Sequence, residues 1–196
     1  MYDFITIERS YACGGHEIST ALSKKLNYRL FDHNVLVETC KRLDLPHNVV
    51  YDMDEKVPVK TPFKVPGHKY LSLEEQIFNT ETEIIQEAVK EPGAIFVGRC
   101  ASKIINDIEN VRSLKVFITA SHSFRKERAL NVEKLDPAHV DNLMHKNDVR
   151  REKYFTAYAK AKWADPGYFD LILNSGELGI KACVDILATA CKGNGN

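Results

Sequence analysis

At Gly14–Gly15 the sequence changes its hydrophobic period. Before the two glycines, DFITIE (Asp3–Glu8) is apolar and β-rich, the pattern of a buried strand. After them Ile18, Leu22 and Leu26 recur every four residues with Ala21 beside them, one face of a helix. The alternation continues. YRLFD (Tyr28–Asp32), AIFVG (Ala94–Gly98), LKVFITA (Leu114–Ala120) and YFDLILNS (Tyr168–Ser175) read as further strands. Between them lie helical patterns: HNVLVETCKRL; a face of Ile77, Ile84, Ile85 and Ala88 stopped by Pro92–Gly93; ASKIIND; and Ser121 to Lys162, interrupted near Asp136–Pro137. A last helix carries Ile180, Cys183, Val184 and Leu187 on one face. Glu55–Leu73, with three prolines and a glycine, reads as a long loop.

Five strands alternating with helices predict an α/β domain, a parallel sheet covered on both faces. In such sheets ligands bind beyond the carboxyl ends of the strands. The first and third strands run into Glu8–Arg9 and Gly98–Arg99, so both arginines are expected at that edge.

The 196 residues suffice for one domain with a sizeable core. Lys and Arg number 27, as do Asp and Glu, so global charge does not select nucleic acid polymers or an acidic membrane as a partner. No basic-then-apolar leader opens the sequence, and no apolar run reaches the roughly 18 residues of a membrane span. Cys13, Cys40, Cys100, Cys183 and Cys191 are scattered and form no CxxC pair, so a reduced, cytoplasmic protein is the simplest expectation. The histidines show no metal-ligand spacing, and no zinc site is expected.

The stretch YACGGHEI has the layout of an anion cradle: a glycine-containing loop between strand and helix, whose amides and helix dipole favour negative charge. It matches G-x-x-x-x-G-K-[ST] poorly. With Gly14 as the last loop glycine, Gly15 stands at the lysine position and His16 follows. A tight strand-to-helix connection, with Glu17 merely complementing the dipole, is the competing reading of the same residues.

Taken in order, Arg9-Ser10-Tyr11-Ala12-Cys13-Gly14-Gly15-His16-Glu17-Ile18, LFDHNVL, FVGRCASKII, VFITASHSFRKERAL, NDVRREKYF and WADPGYFDLILNS resemble the cytidylate kinase-like family of nucleoside monophosphate kinase relatives. The resemblance is strongest with the branch that has no Walker lysine. It implies a P-loop NTPase-type three-layer α/β/α fold with strand order 2-3-1-4-5. It further implies an acceptor-binding insert at about 33–92, a helical lid at about 121–162, and ATP with Mg²⁺ as donor and cofactor. Ala12 and Cys13 depart from that branch, which has glycine and serine there, and Ala12 is restricted if it needs a positive φ.

The resemblance, together with the charge neutralisation that phosphoryl transfer requires, distributes roles. Ala12, Cys13, Gly14, Gly15, His16 and Glu17 would cradle the donor phosphates, with Glu17 holding Mg²⁺. Arg9, Arg125, Arg128, Arg150 and Arg151 would do the lysine's work, since a planar guanidinium suits phosphate oxygens. His122–Lys162 supports this, with ten Lys/Arg against six Asp/Glu. Asp32, Arg99 and Asp148 would hold the acceptor. Each has a plainer alternative: Asp32 as the N-cap of the next helix, His16 as an exposed first-turn residue, the lid arginines as surface ion pairs. Cys100 reads as a small packed residue, and Tyr154, Tyr158 and Trp163 as packing aromatics. The expected activity is phosphoryl transfer from ATP to a nucleoside monophosphate, CMP or dCMP first. The alternatives are a kinase of another small acceptor, or a nucleotide-binding module without turnover.

Overall fold

The computed structural model describes residues 2–53, 55–57 and 71–193. Five parallel strands form one sheet: β1 (Phe4–Arg9), β2 (Arg29–Phe31), β3 (Ala94–Val97), β4 (Ser113–Thr119) and β5 (Leu171–Asn174), in the order β2-β3-β1-β4-β5. The helices are α1 (Gly15–Leu26), α2 (His33–Leu43), α3 (His47–Met53), α4 (Leu73–Ala88), α5 (Ala101–Asn106), α6 (His122–Asn131), α7 (Val140–Ala159), α8 (Ser175–Leu178) and α9 (Ile180–Lys192). Fold class and strand order are those expected.

The period of two along β1 splits its side chains between two cores. Ile5 and Ile7 join Leu114, Val116 and Ile118 of β4 against Ile18 and Leu22 of α1 and Cys183, Val184 and Leu187 of α9. Phe4, on the opposite face, packs with Phe96, Ile85, Ile104 and Ile105. Phe117 of β4 also faces that side, against Phe155, Phe169 and Trp163. Glu8 shares the face of Phe4 by alternation, a carboxylate where the pattern otherwise places apolar groups.

The helical stretch breaks around the expected interruption, and one further helix appears. Ser121–Lys162 is broken over Val132–His139, where Pro137 lacks an amide and Asp136 Oδ1 caps the turn by accepting Ala138 N at 2.9 Å. α3 has no periodic signal: it is seven residues long and buries only Val50. Of the expected Glu55–Leu73 loop, residues 58–70 lie outside the described residues. Ser72 caps α4 through a reciprocal capping box with Glu75. All five cysteines are free and buried, and among the described residues no helix is long and apolar enough to cross a membrane.

Candidate functional site

The loop between β1 and α1 is tied down on every side. Ser10 N donates to Ile118 O at 3.0 Å, Cys13 Sγ to the same carbonyl at 3.4 Å, and Ser175 Oγ to Cys13 O at 2.6 Å. Burial pushes the Cys13 thiol pKa up, and its sulfur belongs to the main core. Ala12 has φ 57°, the left-handed conformation, which costs a residue with a Cβ on the order of 1 kcal/mol. Its methyl offsets this by packing with Ala129, Val140 and Met144 of α6 and α7. Gly14 has φ 82°, and a Cβ there would stand 2.5 Å from Ile180 Cδ1. No side chain caps α1 at Gly14.

α6 and α7 hold the loop from above. Tyr11 N donates to Asp148 Oδ1 at 2.7 Å, and Arg125 Nη1 donates both to Asp148 Oδ2 at 2.7 Å and to Tyr11 O at 3.0 Å. Arg128 Nη2 donates to Glu17 Oε2 at 2.9 Å, on the first turn of α1. The Nε groups of Arg125, Arg128 and Arg150 are buried without a hydrogen-bond partner.

The centre of charge lies beside this clamp. Glu55, just past α3, accepts Arg9 Nη1 at 3.2 Å and Arg151 Nε at 3.3 Å, with Arg150 Nη2 at 3.7 Å. Arg151 Nη1 also reaches Arg9 O at 3.3 Å, and its guanidinium lies 5.6 Å from the Tyr11 ring centroid. Burial raises the Glu55 carboxyl pKa, but Arg151, Arg9, Arg99 and Arg150 more than reverse this and lower it to about 2. Arg151 itself is lowered by burial and by neighbouring Arg9, which together outweigh its carboxylate partners. Glu8, next to this group, is raised to about 7, first by burial and also by Glu55.

The expected acceptor residues each have a partner within the protein. Arg99 is buried and donates to Glu81 Oε1 at 2.9 Å, while Tyr154 Oη donates to Glu81 Oε2 at 3.2 Å. Asp32 makes no capping hydrogen bond to α2, so its N-cap reading is set aside. Its carboxylate meets His16 Nδ1 at 2.6 Å. Asp148, expected with the acceptor, braces the loop.

A strand-glycine-helix loop at the carboxyl edge of a 2-3-1-4-5 sheet, ringed by arginines, is the architecture of the P-loop kinases. The family model described as "Cytidylate kinase-like family" matches residues 4–177. The chain belongs to the cytidylate kinase-like family. Among solved structures it is similar to an uncharacterized protein from Eubacterium ventriosum ATCC 27560, at 22% identity and TM-score 0.73, covering 97% of this chain and 99% of that one. It is also similar to shikimate kinase from Bacteroides thetaiotaomicron, at 13% identity and TM-score 0.59, covering 97% and 98%. Shikimate kinase from Aquifex aeolicus vf5 matches at 19% identity and TM-score 0.52, covering 97% of each chain. At these identities the likeness is one of fold. No curated protein matches the chain.

Within this cytidylate kinase-like chain, four site residues escaped the sequence reading. Glu55 sits in a Pro- and Lys-rich stretch with no period, and only tertiary packing carries it to the arginines. Glu81 lies on the apolar face of α4 between Ile77 and Ile84, a signal that was available: a carboxylate on a core face demands a buried cation. Tyr154 packs as expected but also spends its hydroxyl on Glu81. Glu8 carried a similar warning, at an inward position of a central strand.

Proposed function

We propose that this protein transfers the terminal phosphoryl group of Mg²⁺-ATP to a nucleoside monophosphate, with CMP or dCMP the preferred acceptor. One observation carries the reading. Arg9 at the end of β1 and the adjacent Arg150 and Arg151 of α7 converge on one carboxylate immediately beside a tied-down loop that opens α1. Phosphoryl transfer asks for in-line positioning and neutralisation of spreading negative charge, and a fixed arginine group supplies both without a lysine.

The residues present fit an anionic ligand and its metal. The Tyr11 amide already takes a carboxylate, Asp148, so the loop backbone accepts negative charge. Glu17 is half exposed on the first turn of α1, and Mg²⁺ bound with phosphate oxygens needs only one or two carboxylates. When bound, Mg²⁺ would neutralise charge shared between donor phosphates. The chain's own part is positional. Arg125 and Asp148 keep the loop in one conformation, Arg128 reaches across Glu17, and Arg9, Arg150 and Arg151 present guanidinium groups to the transferred phosphoryl. Docking of α6 and α7 over the loop excludes water from that place.

The test is turnover. The full chain is incubated with Mg²⁺-ATP and, separately, CMP, dCMP, UMP, AMP and GMP, and diphosphates are quantified by chromatography. The expected result is CDP or dCDP formation that falls by about a hundredfold in Arg151→Ala. Diphosphate from none of the acceptors, with the chain folded, overturns the reading. It would leave a kinase of another small acceptor, or a nucleotide-binding module.

A further inference from the structure

Glu55 is the most enclosed member of the arginine group. Its side chain is 5% exposed, against 14% for Arg9, 13% for Arg151 and 34% for Arg150. Its two oxygens face different partners: Oε1 takes Arg9, and Oε2 takes Arg151 and Arg150. The backbone makes room for this arrangement twice. Glu55 has φ 54°, a left-handed conformation that residues other than glycine seldom adopt. Gly98, at φ 72° after β3, would with a Cβ overlap Arg9 Nη1 and stand 3.2 Å from Glu55 Oε1. The Arg9–Glu55 pair therefore passes over a position that only glycine leaves open.

A carboxylate among arginines has two physical meanings. It can occupy the place of a phosphate, in which case it lies at the mouth and is displaced by ligand. Or it can stand behind the guanidinium groups and cancel enough of their repulsion to keep them side by side. Glu55 lies behind. Among these four side chains guanidinium groups outnumber the carboxylate, an excess of positive charge that suits an anionic phosphate. The outer guanidinium edges remain available, since each of these planar groups has five N–H donors.

We infer that Glu55 is a positioning residue, backing Arg9, Arg150 and Arg151 so that their outer edges form one site for a phosphate-bearing ligand. This rests on the phosphate-binding reading above and adds the residue that assembles its cationic half. Its signature is a sign reversal. Removing a negative charge next to an anion site ordinarily tightens anion binding. Here it releases three mutually repelling cations, and binding weakens.

The probe is inorganic pyrophosphate, titrated calorimetrically into the full chain without ATP or acceptor. The temperature is one at which circular dichroism shows each variant folded. Glu55→Gln, which keeps shape and loses charge, is expected to weaken binding by about tenfold. Equal or tighter binding in Glu55→Gln, with the wild type binding, overturns the inference and leaves the kinase reading standing. If Glu55→Gln does not fold, Glu55→Asp decides. One methylene shorter, it cannot hold both Arg9 and Arg151, and binding weakens by roughly threefold or more, while unchanged affinity overturns the inference. No pyrophosphate binding by the wild type would overturn the phosphate-site reading and this inference with it.

Discussion

Asp148 on α7 accepts the Tyr11 amide at 2.7 Å, so a residue 137 positions away fixes the conformation of the loop before α1. The same carboxylate holds Arg125, which returns a hydrogen bond to the Tyr11 carbonyl. Both polar groups of one loop peptide segment are thereby satisfied from α6 and α7. Asp148→Asn keeps the volume and removes the charge that strengthens both bonds. The expected loss is about 1–2 kcal/mol of stability, read from the urea midpoint, because charge-assisted bonds in a partly buried site become neutral ones.

Gly98→Ala tests the geometry around Arg9 without replacing any charged residue. The position is left-handed and the new methyl overlaps the guanidinium. The chain is expected to lose about 1–2 kcal/mol of stability, and its turnover is expected to fall more steeply than that loss explains, because Arg9 must leave Glu55. Equilibrium unfolding and kcat/KM on one preparation check it.

Glu8 predicts a pH dependence of stability. Its folded pKa is raised to about 7, chiefly by burial, from an ordinary value of 4.5. Between those values the folded chain keeps a proton that the unfolded chain has released. The unfolded state therefore binds fewer protons, and stability falls as pH rises through that window. Glu8→Gln removes this slope. It should leave the chain more stable than wild type at pH 8, by an amount on the order of 3 kcal/mol, with little difference at pH 4.5. Glu55 acts with the opposite sign. Its depressed value of about 2 means its contribution is present above 4.5 and is lost as pH falls toward 2. Thermal melts from pH 3 to pH 8 separate the two.

Tyr154→Phe removes the hydroxyl that donates to buried Glu81 while preserving the ring against Phe78. A loss of about 1–2 kcal/mol is expected, since a charged acceptor loses one of its donors. Fluorescence-monitored unfolding in guanidinium chloride would show it as a lower midpoint at unchanged slope.

Glu17→Gln separates a structural from a metal-holding role. The Arg128–Glu17 pair is partly exposed, so its loss should change stability by no more than about 0.5 kcal/mol. If Glu17 holds Mg²⁺, the metal concentration for half-maximal turnover rises by roughly fivefold or more, for want of one hard oxygen ligand. An unchanged Mg²⁺ profile refutes that role.

What local pattern could express was legible. The period of two in β1 and the period near four in α1 stand in the sequence, and chain connectivity then places Arg9 and Arg99 at the carboxyl edge of the sheet. The pairing Arg125–Asp148 was half visible, as basic and acidic residues on two helices, but the loop peptide they share was not. Ala12 illustrates the limit. Its methyl looked like a restriction on the backbone, and the same methyl packs on Ala129, Val140 and Met144.

The sequence by itself determined the layers, the sheet order through its family resemblance, and which residue types were available to meet phosphate. Tertiary structure alone decided that Glu55, Arg9, Arg150 and Arg151 form one charged group, that Arg99 turns to Glu81, and that Asp148 braces the loop. The reason is physical. Hydrophobic periodicity is a short-range signal repeated many times, so it survives reading along the chain. A buried ion group is a single meeting of side chains from distant segments, and its partners are settled by which charges must share a low-dielectric space once the layers have packed.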